Sequence, residues 1–347
     1  MEPTIEYATT VDGRRIACFA IGEGKPFLVA ATPPWSHVQQ EFRIPAVGAW
    51  IRQLAQHMRV IRYDCRGTGL SDREPVDFSI DAQVRDMEAV ADHYVIDSFA
   101  IWASIGGSPA SVAYAAKHAR RVSHLLLWGA YARGDWLIKK IPGWDAVMSL
   151  IVDNWGLFCD VYAQGAFGWP ESDTAAGYAQ LTRDAITQDA MLELARLLPE
   201  VDVTDAARAI RVPALVMVRD RSVYMGVDEA RQLASLIPGA RLLILDGVAE
   251  APFLEDPDSV TTAIVDFVAT DAPAPRPASV PLTEREREVL RLLANGHTGK
   301  EIGRELGISV PTVQRHIANI YAKIGARGRV DAAAYAFAHG MVDRERS

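Results

Sequence analysis

The residue best placed to do chemistry is Ser104, which follows the apolar run Phe99 to Ala103 and precedes Ile105, Gly106 and Gly107. A serine between a strand and a helix, with small residues after it, is typical of a nucleophile elbow, a strained turn that lifts the hydroxyl above a sheet. The pattern predicts Ser104 at the apex of this turn. A simple helix cap is the alternative role for its hydroxyl.

Other kinds of catalytic chemistry find little support in the sequence. The chain has no glycine-rich phosphate loop after a predicted strand, no histidine or cysteine cluster at metal-ligand spacing, and no internal repeat. Nucleotide and metal chemistry are therefore disfavoured, and we expect no cofactor.

A sheet must position the Ser104 turn, and the segment 1–270 alternates short apolar runs with helical patterns. This alternation predicts an α/β fold with a mainly parallel sheet. After a hairpin that turns at Asp12–Gly13, strands are predicted over 27–31, 60–63, 99–103, 122–128, 214–218 and 242–245. Helices are predicted over 81–94, 106–118, 228–237 and 258–268.

Two capping boxes mark helix starts near the C-terminus, formed by Thr283 with Glu286 and by Thr298 with Glu301. In each box the hydroxyl and the carboxylate satisfy each other's backbone amides. Ser309 has the position to cap a third helix. The segment therefore predicts three short helices arranged as a helix-turn-helix.

The third predicted helix has an apolar side, formed by Val313, Ile317, Ile320 and Ile324 at helical spacing. Its polar side is therefore free to enter the major groove of DNA. Amide and guanidinium groups suit base edges, whereas hydroxyl, imidazole and ammonium groups suit phosphates. We expect Gln314, Arg315 and Asn319 to contact bases, and Lys300, Thr312, His316 and Lys323 to contact phosphates.

Charge divides the chain in the same way. The segment 281–347 has a net charge of +3, and the segment 1–280 has −11. An acidic domain repels phosphates, so DNA binding is expected from the basic part. The predicted domains are 1–270 for ligand sensing, a proline-rich linker over 271–281, and 282–347 for DNA binding. With no leader and no apolar run near the ~18 residues of a membrane span, a cytoplasmic protein is expected.

The C-terminal motifs LTEREREVL, EIGRELGIS, TVQRHIANIYAKIG and RVDAAAYA resemble the LuxR-type helix-turn-helix over about a fifth of the chain. The resemblance implies that Gln314, Arg315 and Ala318 meet bases. It also implies a homodimer, formed through a fourth helix at about Arg329 to His339, on two half-sites of double-stranded DNA. Ala318 offers a methyl contact to thymine but no hydrogen bond, which leaves the base preference open.

The segment 1–270 resembles the α/β-hydrolase family through the Ser104 turn and the motifs VIRYDCRGTGLSD and IPGARLLILDGVAEAPFLEDPDSV. The family's catalytic histidine stands in a pattern like G-x-x-H-x-P-F, where this chain has Glu250. A carboxylate has too low an ordinary pKa to serve as the same proton relay. The nucleophile motif also departs from the family's pattern, because Trp102 replaces the first glycine of that motif.

Two further positions depart from the family. The loop that donates an oxyanion-binding N–H contains Pro33 and Pro34, which have no N–H. The acidic member of the triad falls on Asp220 or on Ser222, depending on a gap. Together the departures favour a domain that no longer hydrolyses.

A helical insertion over about 131–208 is rich in aromatic residues and methionine. The family resemblance implies that this insertion is a cap, and its side chains suit a closed, apolar ligand pocket. The residues predicted to contact the ligand are Trp35, His37, Ser104, Ile105, Trp136 and Glu250.

The sequence as a whole predicts a ligand-responsive, DNA-binding transcriptional regulator. Its hydrolase-like domain is expected to bind a small apolar oxygenated molecule, as an effector, without hydrolysing it. One alternative is a bifunctional regulator with Ser104-dependent esterase or lactonase activity, in which His37 or a water replaces the lost base. Another is a closed interior with a purely dimerising or protein-binding role. The ligand, the operator and the direction of regulation stay open.

Overall fold

The computed structural model describes residues 3–141, 143–167, 172–222, 224–270 and 282–324, and the single residues Arg329, Ala332, Ala336 and Met341. The chain divides into two compact units, Met1–Pro273 and Ala274–Ser347. The predicted linker over 271–281 lies outside the described residues, as does most of the predicted fourth helix.

The first unit is built on an eight-stranded sheet in the order β1-β2-β4-β3-β5-β6-β7-β8. The strands β1 to β8 are Glu6–Thr9, Arg15–Ile21, Pro26–Val29, Arg59–Tyr63, Phe99–Ser104, Val122–Trp128, Ala214–Arg219 and Arg241–Leu245. β1 and β2 form the predicted hairpin, and β2 also pairs antiparallel with β4. The remaining pairs are parallel, which confirms the predicted α/β fold.

The parallel strands are apolar on both faces because helices cover the sheet on either side. β6 and β7 are almost entirely buried, and two separate hydrophobic clusters lie on the opposite faces. The carboxyl ends of these strands meet at one edge of the sheet. Loops that follow β3, β5, β7 and β8 therefore converge there and bring distant residues together.

Eleven α-helices are described in the first unit. Helices α1 to α11 are Pro45–Leu54, Ile80–His93, Ser108–Lys117, Gly134–Ile138, Trp144–Asp153, Trp155–Phe167, Ser172–Ala185, Gln188–Leu197, Thr204–Ala209, Val227–Leu236 and Pro257–Ala269. Helices α4 to α8 interrupt the strand–helix alternation between β6 and β7, where the sequence predicts a cap. We call these five helices the cap.

The second unit contains α12 (Glu284–Ala294), α13 (Gly299–Leu306) and α14 (Val310–Ile324). Both predicted capping boxes are present at the starts of α12 and α13, and Ser309 Oγ accepts the amide of Thr312, as predicted for the start of α14. The C-cap of α13 is Gly307, whose φ of 67° suits glycine. Local side-chain to backbone hydrogen bonds thus define where these helices begin.

Two structural properties of the described residues bear on function. None of the described helices is both long enough and apolar enough to cross a membrane. Within the same residues, no group of three or more His, Cys, Asp or Glu side chains is arranged to hold a metal ion.

Candidate ligand-binding site and DNA-binding surface

The turn after β5 has Ile105, not Ser104, at its apex. Ser104 is the last residue of β5, with an extended backbone at φ −119° and ψ 144°, and it pairs with Trp128 of β6. Ile105 has φ of 38°, a left-handed conformation that a β-branched residue rarely adopts. An aliphatic side chain therefore occupies the position from which a nucleophile would project, and the prediction of Ser104 at the apex is wrong by one residue.

A signal for the correct position was present in the sequence. With Ile105 at the apex, the small residue required two positions earlier is Ala103, and Gly107 follows two positions later. The alternative alignment placed the bulky Trp102 at that position. Trp102 is only 1% exposed and packs edge-on against Trp50 at 5.5 Å, so it belongs to the core.

Close packing behind the turn explains its glycines. A Cβ on Gly106 would lie 2.7 Å from the carbonyl oxygen of Pro33, and one on Gly107 would lie 2.5 Å from that of Ala31. The loop after β3 thus brings a carbonyl acceptor beside the turn, and its two prolines have no N–H to donate. An oxyanion would need donors at this place.

The hydroxyl of Ser104 lies beside the turn and is paired locally. Its Oγ is 3.2 Å from Oγ1 of Thr32, which belongs to the loop after β3. Ser104 is half-buried and lines a cavity together with Ile105. The serine is therefore placed to contact a ligand, although not from the apex.

Glu250 is turned into the protein at the position of the family's histidine. It is 7% exposed, and its Oε1 accepts hydrogen bonds from Ser222 Oγ at 2.7 Å and from the amide of Tyr224 at 2.8 Å. Its backbone carbonyl accepts from Trp128 Nε1 at 2.6 Å. These contacts hold the carboxylate in a defined orientation at the cavity wall.

Ser222, and not Asp220, is the candidate for the acidic triad position that contacts Glu250. Asp220 instead accepts the amide of Gly247 at 2.9 Å and is 40% exposed. Only Ser222 of these two candidates contacts Glu250. Ile105, Ser222 and Glu250 are therefore the candidates for the three triad positions, and these side chains include neither a nucleophile at the apex nor an imidazole.

The first cavity lies at the carboxyl edge of the sheet and has a volume of about 80 Å³. We call it the elbow cavity. Its wall is largely aromatic and contains Trp35, Trp50, Trp102, Phe167, Tyr178 and Phe253. The polar side chains along it are those of Thr32, Glu41, Arg62, Ser104 and Glu250. Such a mixture of apolar wall and few polar groups is typical of small-molecule sites.

A buried ion pair in this cavity was not predicted from the sequence. Arg62 donates from Nε and Nη2 to the two carboxylate oxygens of Glu41 at 2.8 and 2.6 Å, and from Nη1 to the carbonyl of Ala30 at 2.7 Å. The two charged residues are 7% and 1% exposed. An arginine in the otherwise apolar run Val60–Tyr63 was the only sequence signal.

A second cavity of about 80 Å³ lies beyond Thr32, Trp35 and Ile105, which line both cavities. We call it the cap cavity because residues of the cap helices, such as Leu137, Trp144 and Met148, form part of its wall. Trp35 is fixed between the two by a hydrogen bond from Nε1 to Thr182 Oγ1 at 3.0 Å and by ring contacts with Tyr162 and Tyr178.

Two of the predicted ligand contacts line neither cavity. His37 is 6% exposed, its Nδ1 accepts the amide of Gln40 at 3.4 Å, and burial lowers its pKa. Trp136 on α4 is partly buried and packs against the core. The structure thus brings together Trp35, Ser104, Ile105 and Glu250 but not His37 or Trp136.

The loop that precedes the Glu41–Arg62 pair depends on Asp64 at the end of β4. Asp64 is fully buried, and its Oδ1 and Oδ2 accept the amides of Val38 at 2.8 Å and Leu70 at 2.9 Å. Asparagine can accept only one of these amides, since its NH₂ group would face the other donor. We expect Asp64→Asn to lower the free energy of unfolding by about 1–3 kcal/mol.

This prediction is checked by urea unfolding followed by tryptophan fluorescence. The exposed Asp246, whose side chain is 87% accessible, provides the control Asp246→Asn. Unfolding of Asp64→Asn at the same urea concentration as the control would contradict the assigned role.

On α14, the predicted base-contacting face is outward and the apolar face is inward. Gln314, Arg315 and Asn319 are exposed, whereas Val313 and Ile320 are buried against the other helices. Of the predicted phosphate contacts, Lys300 is exposed on α13, and Thr312 and His316 are half-buried. The side chains of Ala318 and Lys323 lie outside the described residues.

Comparison with known proteins agrees with this division of the chain. Residues 280–336 match the family model of bacterial regulatory proteins of the luxR family. Residues 35–183 match the model of the alpha/beta hydrolase fold. The chain is a LuxR-type regulator with an α/β-hydrolase-fold domain. Its C-terminal helix-turn-helix is the DNA-binding part, as the resemblance implied.

Individual relatives cover one domain or the other. RutD of Caulobacter sp. (strain K31), named as a carbamate hydrolase, is 26% identical over 230 residues, which are 64% of this chain and 85% of that protein. LiaR of Bacillus subtilis (strain 168), a transcriptional regulatory protein, is 48% identical over 62 residues. That match covers 18% of this regulator and 29% of LiaR.

Solved structures support the fold of the larger domain. The esterase EaEST from Exiguobacterium antarcticum superposes with a TM-score of 0.67 at 19% identity, over 77% of this regulator and 100% of the esterase. Est816, described as an N-acyl homoserine lactone degrading enzyme, has a TM-score of 0.64 at 20% identity, over 76% and 100% of the two chains. At these identities the likeness concerns the fold alone.

Proposed function

We propose that this regulator senses a small apolar oxygenated molecule with its hydrolase-like domain and does not hydrolyse it. The observation that supports the proposal is the set Ile105, Ser222 and Glu250 at the three triad positions. Removing the catalytic histidine alone can cost a serine hydrolase about a millionfold in kcat. Here the nucleophile at the apex is also replaced by an aliphatic side chain.

The elbow cavity supplies suitable contacts for such a ligand. The carboxylate of Glu250 accepts a hydrogen bond from a hydroxyl or an amine of the ligand, and Ser104 Oγ forms a hydrogen bond with a ligand oxygen. Aromatic side chains such as Trp35 and Trp50 enclose the apolar part. Ligand binding alters transcription only if it favours one arrangement of the protein over another through a difference in affinity.

On the DNA side, we propose that a homodimer binds two half-sites about one helical turn apart, with α14 in the major groove. The exposed Gln314, Arg315 and Asn319 support this assignment. The dimer contact belongs to the predicted fourth helix. A single half-site bound as tightly as the paired site would count against the dimer.

The test of the sensing proposal is hydrolysis of short aryl esters and lactones by the full-length protein and by Ser104→Ala. We expect that neither protein hydrolyses these substrates faster than they hydrolyse in buffer alone. Among the relatives, RutD and Est816 have names that describe hydrolytic activity, so their substrate classes, carbamates and acyl homoserine lactones, belong in the panel. Turnover that disappears in Ser104→Ala would establish a bifunctional enzyme instead.

A further inference from the structure

The strand β8 is the last strand on one side of the sheet and has an open edge. Among the described residues it pairs with β7 alone. Every residue of β7 is buried, whereas Arg241 and Ile244 of β8 are exposed and the remainder of β8 is half-buried. The outward backbone groups of such a strand are available to pair with another chain.

The pairing of β8 with β7 determines which backbone groups point outward. The carbonyl of Leu245 accepts the amide of Asp220 at 2.8 Å, so the polar backbone groups of Leu245 are directed towards β7. These groups alternate in direction along a strand, which directs those of Leu243 towards β7 as well. The open edge therefore presents the N–H and C=O groups of Leu242 and Ile244.

The side chains at this edge suit a protein partner. Charged side chains or proline commonly protect edge strands from pairing. β8 has no proline, and its central run Leu242–Ile244 is entirely aliphatic. The charged side chain of Arg241, at the start of the strand, lies over the ring of Phe267 on α11, with 5.6 Å between the guanidinium carbon and the ring centre. Ile244 is 41% exposed, so a partner would bury an apolar side chain here.

A second copy of the chain fits this edge because the strand is complementary to itself. When two copies of β8 run antiparallel about a two-fold axis at Leu243, Leu242 of one copy lies opposite Ile244 of the other. The polar backbone groups of both residues point outward, so each pair exchanges its amide and carbonyl hydrogen bonds. This register pairs the whole strand Arg241–Leu245. An axis at Leu242 or Ile244 would leave part of the strand unpaired.

The same register keeps like charges apart. Arg241 lies opposite Leu245 of the second copy, and Asp246, whose side chain is 87% accessible, follows that leucine. The two copies of Arg241 stand about 13 Å apart along the strands, at about 3.3 Å per residue. Their repulsion is therefore weak, because about 10 Å is the screening length in 0.1 M salt. Charges of opposite sign adjoin at each end of the paired strands.

We propose that the hydrolase-fold domain pairs with that of a second copy through β8, in antiparallel register about Leu243, to form one continuous sheet. Two paired edges of this length bury less than the roughly 1,200–2,000 Å² of a stable complex. The contact therefore acts together with the dimer contact of the DNA-binding unit, which raises the effective concentration of the two domains. The inference rests on the homodimer of the proposed function but not on ligand binding.

The location of β8 connects this contact to the elbow cavity. The strand leads directly into the loop that carries Glu250, which lines that cavity. Pairing of two β8 strands thus joins the elbow cavities of the two copies through a short, continuous stretch of backbone. Such a contact provides a second arrangement of the protein that a ligand in the elbow cavity can favour or oppose.

Cysteine cross-linking of the full-length protein tests the contact and its register. At the two-fold axis, in a non-hydrogen-bonded pair, the Cα atoms are about 4.5 Å apart, within disulfide range. We therefore expect Leu243→Cys to form a disulfide-linked dimer under mild oxidation. The matched control is Ile244→Cys, whose two copies stand diagonally at about 7–8 Å, beyond disulfide range. The natural Cys18, Cys65 and Cys159 are buried and should stay reduced in both variants.

Sedimentation equilibrium of the full-length protein provides an independent measurement. Ile244→Lys places a charge on the open edge, and we expect it to raise the dissociation constant of the dimer about tenfold or more. The control is Val152→Lys, since Val152 is 61% exposed and lies on α5 of the cap. This variant should leave the constant unchanged. Thermal midpoints close to that of the wild type would show that all four variants are folded.

Three results would overturn the pairing of β8. These are no cross-link in a folded Leu243→Cys, cross-linking of Ile244→Cys to the same extent, or a dimer that Ile244→Lys weakens no more than Val152→Lys does. If the wild type is still a dimer, the proposed homodimer stands, with its contact in the predicted fourth helix alone. A wild type that is monomeric while it saturates the paired DNA site would contradict the homodimer itself.

Discussion

Replacing Glu41 by alanine is expected to lower the free energy of unfolding of the hydrolase-fold domain by about 3–5 kcal/mol. The guanidinium of Arg62 is 7% exposed and donates to both carboxylate oxygens of Glu41. Without Glu41 the guanidinium would remain a buried charge with no carboxylate partner. The backbone carbonyl of Ala30 would still accept a hydrogen bond from Nη1, but it would not neutralise the charge. The expected loss is several-fold larger than the loss from breaking an ordinary surface ion pair.

The measurement is urea unfolding monitored by tryptophan fluorescence. Every tryptophan of the chain lies within Met1–Pro273, so the signal reports on this domain and not on the DNA-binding unit. The double variant Glu41→Leu, Arg62→Met is the control, since it removes both charges and should recover much of the loss. A loss below about 1 kcal/mol in Glu41→Ala would show that the pair is weakly coupled.

Replacing Arg315 by alanine is expected to raise the Kd for the operator by about 10- to 100-fold. A bidentate contact between a side chain and a base contributes about 1–3 kcal/mol of discrimination. Arg315 is exposed on α14 and lies on the face opposite the buried Val313 and Ile320. Its loss should also weaken the preference for the operator over unrelated DNA, since a base contact and not only a charge is removed.

The matched control for this prediction is Arg287→Ala. Arg287 is exposed on α12, so the variant has the same change of charge on a different helix. The DNA should be selected by the full-length protein from a random-sequence library, and Kd should be measured at one salt concentration. Equal weakening by both variants would show that Arg315 contributes only general attraction to phosphates.

The bounds of several helices and strands were predictable within one or two residues. The strand over Val122–Trp128 has the predicted bounds, and α2 runs over Ile80–His93 against a prediction of 81–94. The capping boxes at Thr283 and Thr298 were predicted correctly as well. For the helix and the capping boxes the interacting groups are close in the sequence, so the residue pattern contains the information directly. The strand pairs with β5 and β7, which are far away in the sequence, and its bounds were recognised from its apolar run.

The residue at the apex of the turn after β5 was not predicted correctly from the residue pattern. The motif fits residues 102–106 with Ser104 at the apex and residues 103–107 with Ile105 there. The serine favours the first alignment, whereas the small Ala103 favours the second. In the structure the loop after β3 lies close to this turn, and its carbonyls leave no room for a Cβ at Gly106 or Gly107. Ile105 has a left-handed backbone with φ of 38°, which a β-branched residue rarely adopts.

The sequence by itself determined the two-domain plan, the α/β fold, the LuxR-type helices and the replacement of histidine by Glu250. All of these rest on periodicity, capping residues or single positions in a motif. The tertiary structure alone decided that Ser222 contacts Glu250 and that Glu41 pairs with Arg62. These relations join residues far apart in the sequence, and their distances are set by how loops converge at the edge of the sheet.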